Sequence, residues 1–361
     1  MKAPERVLKA VNHEEPDRVP AFESAFTNNT IMRHYGIDPR GAGGYKSSYE
    51  FFRKVGIDLV LSFVSLFPRK FLKKDEGFID EYGRHMKFEL YKDGTQILAY
   101  HGGYFKNFED YESWEQPDPH LSTRLVQFKS GRKVQKEMND EVFSIPATGS
   151  LMECTWEGFG IEGFSRILRR HIQIKRVFDD RGKFTLELVK ILAENNAQMV
   201  LLWDDYGFKN GLFMRPSLYQ KYVFPWLRQI CDAAHKRHCK VLLHSDGDLT
   251  EIFEDIINCG VDAINPIEST TANPEYDIFK LNEKYGEKIT FAGNLSPIVL
   301  AIGEIFEIEE YAKRLIRELA PGGGYIFGSG HSINPAVTID RFEAMQNIRR
   351  KYGKYPIKVP D

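Results

Sequence analysis

The sequence predicts an α/β protein, a (β/α)8 or TIM barrel with a β-hairpin insertion before the third strand. Short apolar segments of strand length recur eight times along the 361 residues, and helical material follows each of them. Between the second and third of these segments, apolar and polar residues alternate as they do in antiparallel hairpins. A doubly wound nucleotide-binding sheet is not supported, because no GxGxxG follows the first strand and GxxxxGK[ST] is absent.

The first half of the chain predicts three strands and the insertion. Residues 3–12 predict a helix with proline near its start, and the extended run RVPAF near residue 19 follows as the first strand. The second strand is IDLVLSF at residues 57–63, and EVFSIPATG at 141–149 is the third. Residues from about 78 to 120 contain the hairpin, because KDGT is typical of a turn.

The second half alternates regularly between strands and helices, which favours one barrel domain over residues 1–361. Its five predicted strands are QMVLLWDD (198–205), KVLLHSDGD (240–248), VDAINPIE (261–268), KITFAGN (288–294) and GYIFGSGH (324–331).

Composition excludes several classes of protein. With 49 basic and 51 acidic residues, and no basic run interleaved with aromatic residues, the chain does not have the character of a nucleic-acid-binding protein. Its first twenty residues carry charges every few positions and lack an apolar core, so they predict neither a signal peptide nor a membrane anchor. We therefore expect a cytoplasmic protein that binds neither nucleic acid nor membrane.

Four cysteines are spaced neither as a disulfide framework nor as a paired zinc module. We expect reduced thiols. Cys231 and Cys259 fall on the apolar faces of predicted helices, where cysteine behaves as a small buried apolar residue.

Polar side chains follow three consecutive predicted strands, at the point where each strand ends. These residues are Asp204, Asp205, His244, Asp246 and Glu268. In α/β proteins the ligand binds at the carboxyl ends of parallel strands, so these five side chains should lie at one end of one sheet. The sequence therefore places the active site there.

Five segments together resemble the uroporphyrinogen decarboxylase superfamily, which includes decarboxylases and the cobalamin-dependent methyltransferases of anaerobes. The resemblance covers nearly the whole chain and implies the barrel fold. The segments are PERVLKAVNHEEPDRVP, DDYGFKNGLFMRPSLYQKYVFPWL, VLLHSDGDLTEIFEDIINCGVDAINPIE, FAGNLSP and GYIFGSGHSINP.

The chain departs from the porphyrinogen decarboxylases near its start. Those enzymes hold substrate carboxylates with an arginine-rich run such as FMRQAGRY, whereas the equivalent stretch here is AFESAFTNNTIMRHYG. Only Arg33 remains, so a substrate with eight carboxylates would meet too few cations. Decarboxylation is therefore an alternative rather than the preferred activity.

The barrel mouth more closely resembles the thiol-methylating branch, which holds zinc through His-x-Cys and a distant cysteine. The corresponding positions here read HSD at residues 244–246 and GSGH at 328–331. The resemblance thus implies a zinc site, which we expect to be held by His244, His331 and one or two carboxylates, with Asp246 and Glu268 as the first candidates. Because oxygen and nitrogen ligands replace the thiolates, such a metal suits an oxygen or nitrogen substrate better than a thiol.

The implied function is a corrinoid-dependent methyltransferase that moves a methyl group from a small O- or N-methylated donor, such as an aromatic methyl ether, to cobalt. The chain lacks the DxHxxG pattern of cobalamin-binding modules, so the corrinoid would arrive on a separate corrinoid protein. A homodimer is left open. The alternatives are a decarboxylase of the uroporphyrinogen type and a methylcobamide:thiol methyltransferase.

Further residues near the strand ends have candidate roles. Asp204, Asp205 and Glu153 are candidate catalytic groups, since the leaving group must be neutralised by a metal or an acid. Trp156, Tyr206 and Phe208 are candidate substrate-binding residues that would form an apolar wall, with core packing as the commoner role of such side chains.

Structural roles are the alternative for several of these polar residues. His244 could be a buried histidine that bonds to the backbone, and Asp204 and Asp205 could cap the turn at Gly207. Asp248 is expected to be the N-cap of the following helix, with Glu251 completing a capping box.

Overall fold

The computed structural model describes residues 1–39, 45–73 and 76–360. Its strands, in chain order, are β1 (Leu59–Phe63), β2 (Pro68–Phe71), β3 (Phe78–Asp80), β4 (Arg84–Leu90), β5 (Gln96–Gly103), β6 (Phe143–Gly149), β7 (Met199–Trp203), β8 (Gly207–Phe208), β9 (Gly211–Leu212), β10 (Lys240–His244), β11 (Ala263–Asn265), β12 (Thr290–Leu295) and β13 (Tyr325–Ser329).

The helices alternate with the strands of the second half. In order they are α1 (Ala3–Val11), α2 (Asn29–His34), α3 (Tyr45–Val55), α4 (Phe108–Glu112), α5 (Ser122–Glu137), α6 (Glu153–Ile167), α7 (His171–Glu194), α8 (Pro216–Leu218), α9 (Phe224–His235), α10 (Phe253–Asn258), α11 (Ile278–Tyr285), α12 (Pro297–Ile302), α13 (Ile305–Leu319) and α14 (Ile339–Tyr352). A π-helical turn, Tyr219–Val223, links α8 to α9, and a 3-10 turn, Thr250–Ile252, precedes α10.

A seven-stranded parallel sheet, in the order β1-β6-β7-β10-β11-β12-β13, forms the centre of the protein. Strands that follow one another in this sequence are neighbours in space, with helices between them, which confirms the α/β class. The register places His244 opposite Trp203 on one side and Asn265 on the other. Because the strands are parallel, their carboxyl ends lie at one edge of the sheet.

The sheet is curled, because one short segment contacts both of its edge strands. Ala21 forms a parallel bridge with Phe327 of β13, and Phe22 forms one with Leu59 of β1. The segment predicted as the first strand thus makes isolated bridges rather than a continuous strand. Pro20 is one reason, since it has no N–H to donate to a ladder.

The insertion between β1 and β6 is a four-stranded antiparallel sheet, in the order β2-β3-β4-β5. It begins at Pro68, ahead of the hairpin expected from about residue 78, and the hairpin itself is β4 and β5. The sequence did not predict β2, because this strand, PRKF, is exposed along its whole length and its apolar residues do not alternate with polar ones.

The interior of the curled sheet is filled by side chains that alternate along the strands. Leu201 points inward, for example, whereas Val200 and Leu202 pack outward against helices. Helix α1 closes the amino-terminal end with three apolar side chains. The inner cluster includes Ala3, Val7, Val11, Leu59, Ile145, Leu201, Leu242, Ala263, Ala292 and Ile326.

All four cysteines are buried and are free thiols. None of the helices in the described ranges combines the length and the apolar character that a bilayer crossing demands.

A buried carboxylate fixes the short segment that joins the sheet edges. Asp58, which has no exposed surface, accepts hydrogen bonds from the guanidinium groups of Arg6 (2.8 Å) and Arg18 (2.8 and 2.9 Å). It also accepts one from the backbone N–H of Ala21 at 2.9 Å. This carboxylate therefore ties α1 and the bridging segment to the start of β1.

Substituting Asp58→Asn should lower the free energy of unfolding by roughly 2 kcal/mol, because Arg18 loses its buried counter-charge and Arg6 keeps only Asp17 as a carboxylate partner. Chemical denaturation measures the change. Glu275→Gln, which removes an exposed partner of Lys280, is the control and should change stability little. Equal effects of the two substitutions would contradict a structural role for Asp58.

Candidate functional site

Three side chains that could share a metal ion converge at the carboxyl ends of β7 and β10. One ligand atom each of Asp205, His244 and Asp246 lies within 4.8 Å of the others. His244 is the last residue of β10, and its ring lies against that of Trp203, with 4.2 Å between the ring centroids. Imidazole and carboxylate groups are both ordinary zinc ligands.

Hydrogen bonding determines which nitrogen of His244 is free. The amide nitrogen of Asn265 donates to the carbonyl oxygen of Ala292 at 2.9 Å, so its oxygen, 2.9 Å from His244 Nδ1, must accept. Nδ1 therefore carries the proton, and Nε2 keeps its lone pair. Burial lowers the pKa of His244 to about 4, so the ring is neutral near pH 7.

The two aspartates of this group lie close together and share one hydrogen bond. Asp205 accepts from the backbone N–H of Asp246 at 2.9 Å, whereas Oδ1 of Asp246 is buried and has no hydrogen-bond partner. Burial raises the pKa of Asp205 to about 7. Burial, together with the charges of Asp205 and Glu268, raises the pKa of Asp246 well above its ordinary value. A buried oxygen without a hydrogen-bond partner is energetically unfavourable, and a bound cation would supply the missing partner.

Glu268 and His331 lie beside this group rather than within it. Glu268 accepts from the backbone N–H of Gly247 at 2.7 Å and from the hydroxyl of Thr270, so both of its oxygens are already engaged. His331 has its Nε2 3.5 Å from Oδ2 of Asp246, and its side chain is 52% exposed. Of the four implied ligands, the structure thus groups His244 with Asp246, and the close third member is Asp205.

Asp204 binds a helix start instead of facing the opening. It is fully buried, and its carboxylate accepts from the N–H groups of Leu151 (3.0 Å), Met152 (2.6 Å) and Glu153 (2.9 Å). Burial raises the pKa of Asp204 to about 6 despite these donors. Asp204 therefore holds the amino-terminal end of α6 in place, and Glu153 is the first residue of that helix.

Arg84, which the sequence analysis did not single out, contacts the acidic pair Glu153 and Glu157 on α6. Arg84, from the insertion strand β4, donates to Glu157 at 2.8 Å and to Asp80 at 2.7 Å, and its guanidinium is 3.5 Å from Glu153. Burial raises the pKa of Glu153 and Glu157, most strongly that of Glu153, where the charge of Asp205 adds to the effect. No local motif marks Arg84, because its partners on α6 lie about 70 residues away along the chain.

The predicted aromatic wall is only partly at the opening. Trp156 stacks on Phe213 with 4.7 Å between centroids, and Phe208, which is 45% exposed, lies 5.6 Å from the same ring. Tyr206 is fully buried and packs on Tyr219 in the core. Trp156 and Phe208 thus remain available to a substrate, whereas Tyr206 packs in the core.

The loop that carries Asp246 continues into a turn rather than a capped helix. Asp248 accepts from the N–H of Thr250 at 3.0 Å, and α10 begins only at Phe253, after the 3-10 turn. The capping box expected at Glu251 is therefore replaced by a local turn at Asp248.

Comparison with known proteins identifies a family and several relatives. A family model described as uroporphyrinogen decarboxylase (URO-D) matches residues 88–352. The uroporphyrinogen decarboxylase of Coxiella burnetii (strain RSA 331 / Henzerling II) is 28% identical over 177 residues, which is 47% of this chain and 46% of that protein. That of Alkalilimnicola ehrlichii is 26% identical over 267 residues, 70% of each chain. The chain spans about half the length of the first of these relatives.

A solved structure shares the fold over nearly the full length. A methyltransferase from Methanosarcina mazei superposes with a TM-score of 0.72 at 16% sequence identity, and the match covers 98% of this chain and 99% of that one. At this identity the likeness concerns the fold.

The buried acids predict a measurable pH dependence. Between pH 4 and 7 the folded protein keeps a proton on Asp205 that the unfolded chain has lost, so metal-free protein loses stability as pH rises. Asp205→Asn keeps the hydrogen bond to Asp246 and removes the titration. The melting temperature of this variant relative to the wild type should therefore rise from pH 4 to 7 and then level off.

The measurement is thermal unfolding with a chelator present, and Glu254→Gln, at an exposed position of α10, is the control. A difference between wild type and Asp205→Asn that stays constant across this pH range would show that Asp205 titrates normally.

Proposed function

The chain belongs to the uroporphyrinogen decarboxylase family, and from that premise we propose that it is a corrinoid-dependent methyltransferase. It moves a methyl group from a small O- or N-methylated donor to the cobalt of a corrinoid carried by a separate protein. The observation that carries the proposal is the convergence of His244, Asp205 and Asp246 at the carboxyl ends of the strands.

The same proposal takes the curled sheet as a single-domain (β/α)8 barrel in which the segment around Ala21 and Phe22 is the first of the eight strands. The bridges to β13 and β1 support this interpretation. An opening at the carboxyl ends of such a barrel suits a partner that must bring a large planar cofactor to the substrate.

The residues present fit a divalent cation, and we propose zinc. His244 Nε2 is unprotonated and held in orientation by Asn265, and Oδ1 of Asp246 is buried without a partner. With Asp205 they form three protein ligands, which leaves a coordination place for substrate. When bound, zinc supplies Lewis acidity toward the oxygen or nitrogen that loses the methyl group.

A residue of this chain supplies the proton that the leaving group requires. The bond from the methyl carbon to oxygen or nitrogen breaks with its electron pair on the heteroatom, while the reduced cobalt donates an electron pair to the methyl carbon. For an ether, Glu153 donates the proton that neutralises the leaving oxygen, because burial and the charge of Asp205 raise its pKa and so favour the protonated carboxyl. Asp204 holds Glu153 in position through the start of α6.

Decarboxylation is the rival activity, since the relatives carry that name. A porphyrinogen would bring many carboxylates to an opening that already holds Asp205, Asp246 and Glu268. Arg33 is exposed and donates to the backbone of Asp93 in the insertion. Among the described residues, this arginine is therefore engaged with the insertion, and a polycarboxylate would lack the guanidinium partner that it requires. A thiol acceptor is less favoured, because soft thiolate ligands are missing from the group.

The metal proposal is tested by zinc titration of protein first stripped with a chelator. Wild type should bind one zinc ion per chain, and His244→Ala should abolish tight binding. Asn265→Ala should weaken binding by roughly 10- to 100-fold, because Asn265 orients the ring of His244 through a hydrogen bond. His120→Ala, at an exposed histidine, is the matched control. Unchanged stoichiometry and affinity in His244→Ala would contradict this site.

The reaction is tested with free cob(I)alamin as acceptor and a panel of methyl ethers and methylamines, with uroporphyrinogen assayed in parallel. Glu153→Gln should lower kcat for ethers by about 10²- to 10⁴-fold, the usual contribution of a general acid, whereas Glu254→Gln should not. Porphyrinogen decarboxylation without any methyl transfer would overturn the proposal in favour of the rival.

A further inference from the structure

The antiparallel sheet of the insertion has one apolar face that is only partly covered. Every second residue of β4 points to this side of the sheet, and these residues are Arg84, Met86, Phe88 and Leu90. On β5, Leu98 lies opposite Phe88 in the register. The first two residues of β4 on this face are buried, whereas Phe88 is 57% exposed, Leu90 71% and Leu98 40%.

Ring contacts extend this face over the neighbouring strands β3 and β2. Phe78 of β3 lies opposite Met86, and its ring centroid is 6.4 Å from that of Phe88 and 6.2 Å from that of Phe71. Phe71, on β2, is 75% exposed. The exposed members, which we call the apolar face, are Phe71, Phe88, Leu90 and Leu98. With roughly 150–250 Å² for a whole aromatic side chain, they leave on the order of 400 Å² uncovered, a patch size that often marks a functional surface.

The inner end of the same side of the sheet packs on α6, at the opening. Arg84 donates to the carboxylate of Glu157 at 2.8 Å, and the hydroxyl of Tyr100 donates to the backbone carbonyl of Glu157 at 2.9 Å. The ring of Tyr100 lies 5.8 Å from that of Trp156. A strand advances about 3.4 Å per residue, so Leu90 lies about 20 Å beyond Arg84 along β4. The apolar face therefore begins at the opening and extends outward from it.

The charges around the apolar face are mostly positive. Over the described residues 68–73 and 76–103, two exposed charged side chains are already paired, Arg69 with Glu115 and Glu89 with His101. The other exposed charges are three lysines and one acid, and they are Lys70, Lys73, Lys92 and Glu76. A surface with this balance attracts carboxylates, and salt weakens the attraction.

We infer that the apolar face is the docking surface for the protein that carries the corrinoid, and that this partner presents an apolar centre bordered by carboxylates. The inference rests on the proposed function and assigns its partner a place on this chain. A partner that binds there lies beside the opening to which it must bring its cofactor. The insertion then has a role of its own, because it supplies both this surface and Arg84, which contacts the acids of α6.

The size of the apolar face favours a partner that exchanges over a permanent second copy of this chain. Stable interfaces bury about 800 Å² on each partner, and the smaller ones belong to transient encounters. The apolar face offers about half of the larger figure. A carrier that accepts a methyl group must leave before the next unmethylated carrier can bind, so a transient contact suits it.

Binding measurements with full-length protein test the inference. The probes are corrinoid proteins purified from the source cells, each followed by its cobalt absorbance. Leu90→Asp and Phe88→Ser should each weaken binding by roughly tenfold, the loss expected at a central interface residue. Ile302→Asp, at a 75% exposed position on α12, is the matched control and should bind as the wild type does. Equal binding by wild type, Leu90→Asp and Phe88→Ser, or no binding by the wild type, would overturn the inference.

Reversing one border charge tests the chemistry of the partner. Lys92→Glu should weaken binding at low salt, and added salt should narrow its difference from the wild type. Binding that is unchanged or tighter in Lys92→Glu would overturn the acidic border assigned to the partner.

Sedimentation of the chain alone tests the rival occupant. Wild type and Leu90→Asp should sediment alike, and they should melt alike because Leu90 is exposed. A wild-type dimer that Leu90→Asp converts to a monomer would assign the apolar face to a second copy and overturn the inference.

Free cob(I)alamin separates this inference from the proposed function, because it needs no docking surface. Leu90→Asp should methylate free cob(I)alamin as the wild type does, and should methylate the carrier protein less efficiently. Methyl transfer to the carrier that is equal in both proteins would overturn the docking surface alone. Binding of the carrier at the apolar face without methyl transfer to any acceptor would overturn the proposed function alone.

Discussion

The burial of several carboxyl groups at one end of a parallel sheet is the constraint on which the site depends. Asp205, Asp246, Glu153 and Glu157 lie close enough to shift one another's pKa, and Arg84 is the cation that contacts two of them. Charges of one sign are costly away from water. Such a cluster is stable when its members hold protons or when a cation binds among them.

Different parts of the fold hold the members of this cluster. The central strands supply His244 and the neighbouring Asn265 that orients it. A buried aspartate, Asp204, fixes the start of the helix that carries Glu153. The insertion contributes Arg84, so the antiparallel sheet outside the parallel one takes part in the electrostatics of the opening. The distribution explains how a site can keep its geometry although its own groups repel one another.

The region beside β1 has the opposite character. Phe26, Phe51 and Phe52 pack into an apolar wall, and Phe63 and Trp203 lead from it to His244. The rings of Phe63 and Trp203 therefore separate the acidic group from this apolar region.

Several features of the fold and site followed from local sequence patterns. The alternation of strands and helices predicted the parallel sheet, and the acids and histidine after β7 and β10 were expected together because parallel strands end at one edge. The first strand was harder to judge, since Pro20 limits its pairing to bridges. The extent of the insertion was underestimated, since β2 shows no apolar periodicity.

By itself, the sequence determined the α/β class and predicted that the polar residues after β7 and β10 lie together, because both inferences depend on periodicity and on the position of residues after strands. Only the tertiary structure decided which groups meet. In the folded protein, Asp205 rather than Glu268 lies next to His244, and Tyr206 is buried in the core. Arg84, from a strand of the insertion, contacts Glu157 on α6. Contacts of this kind depend on how loops and insertions pack across the sheet end, and no local pattern in the chain encodes that packing.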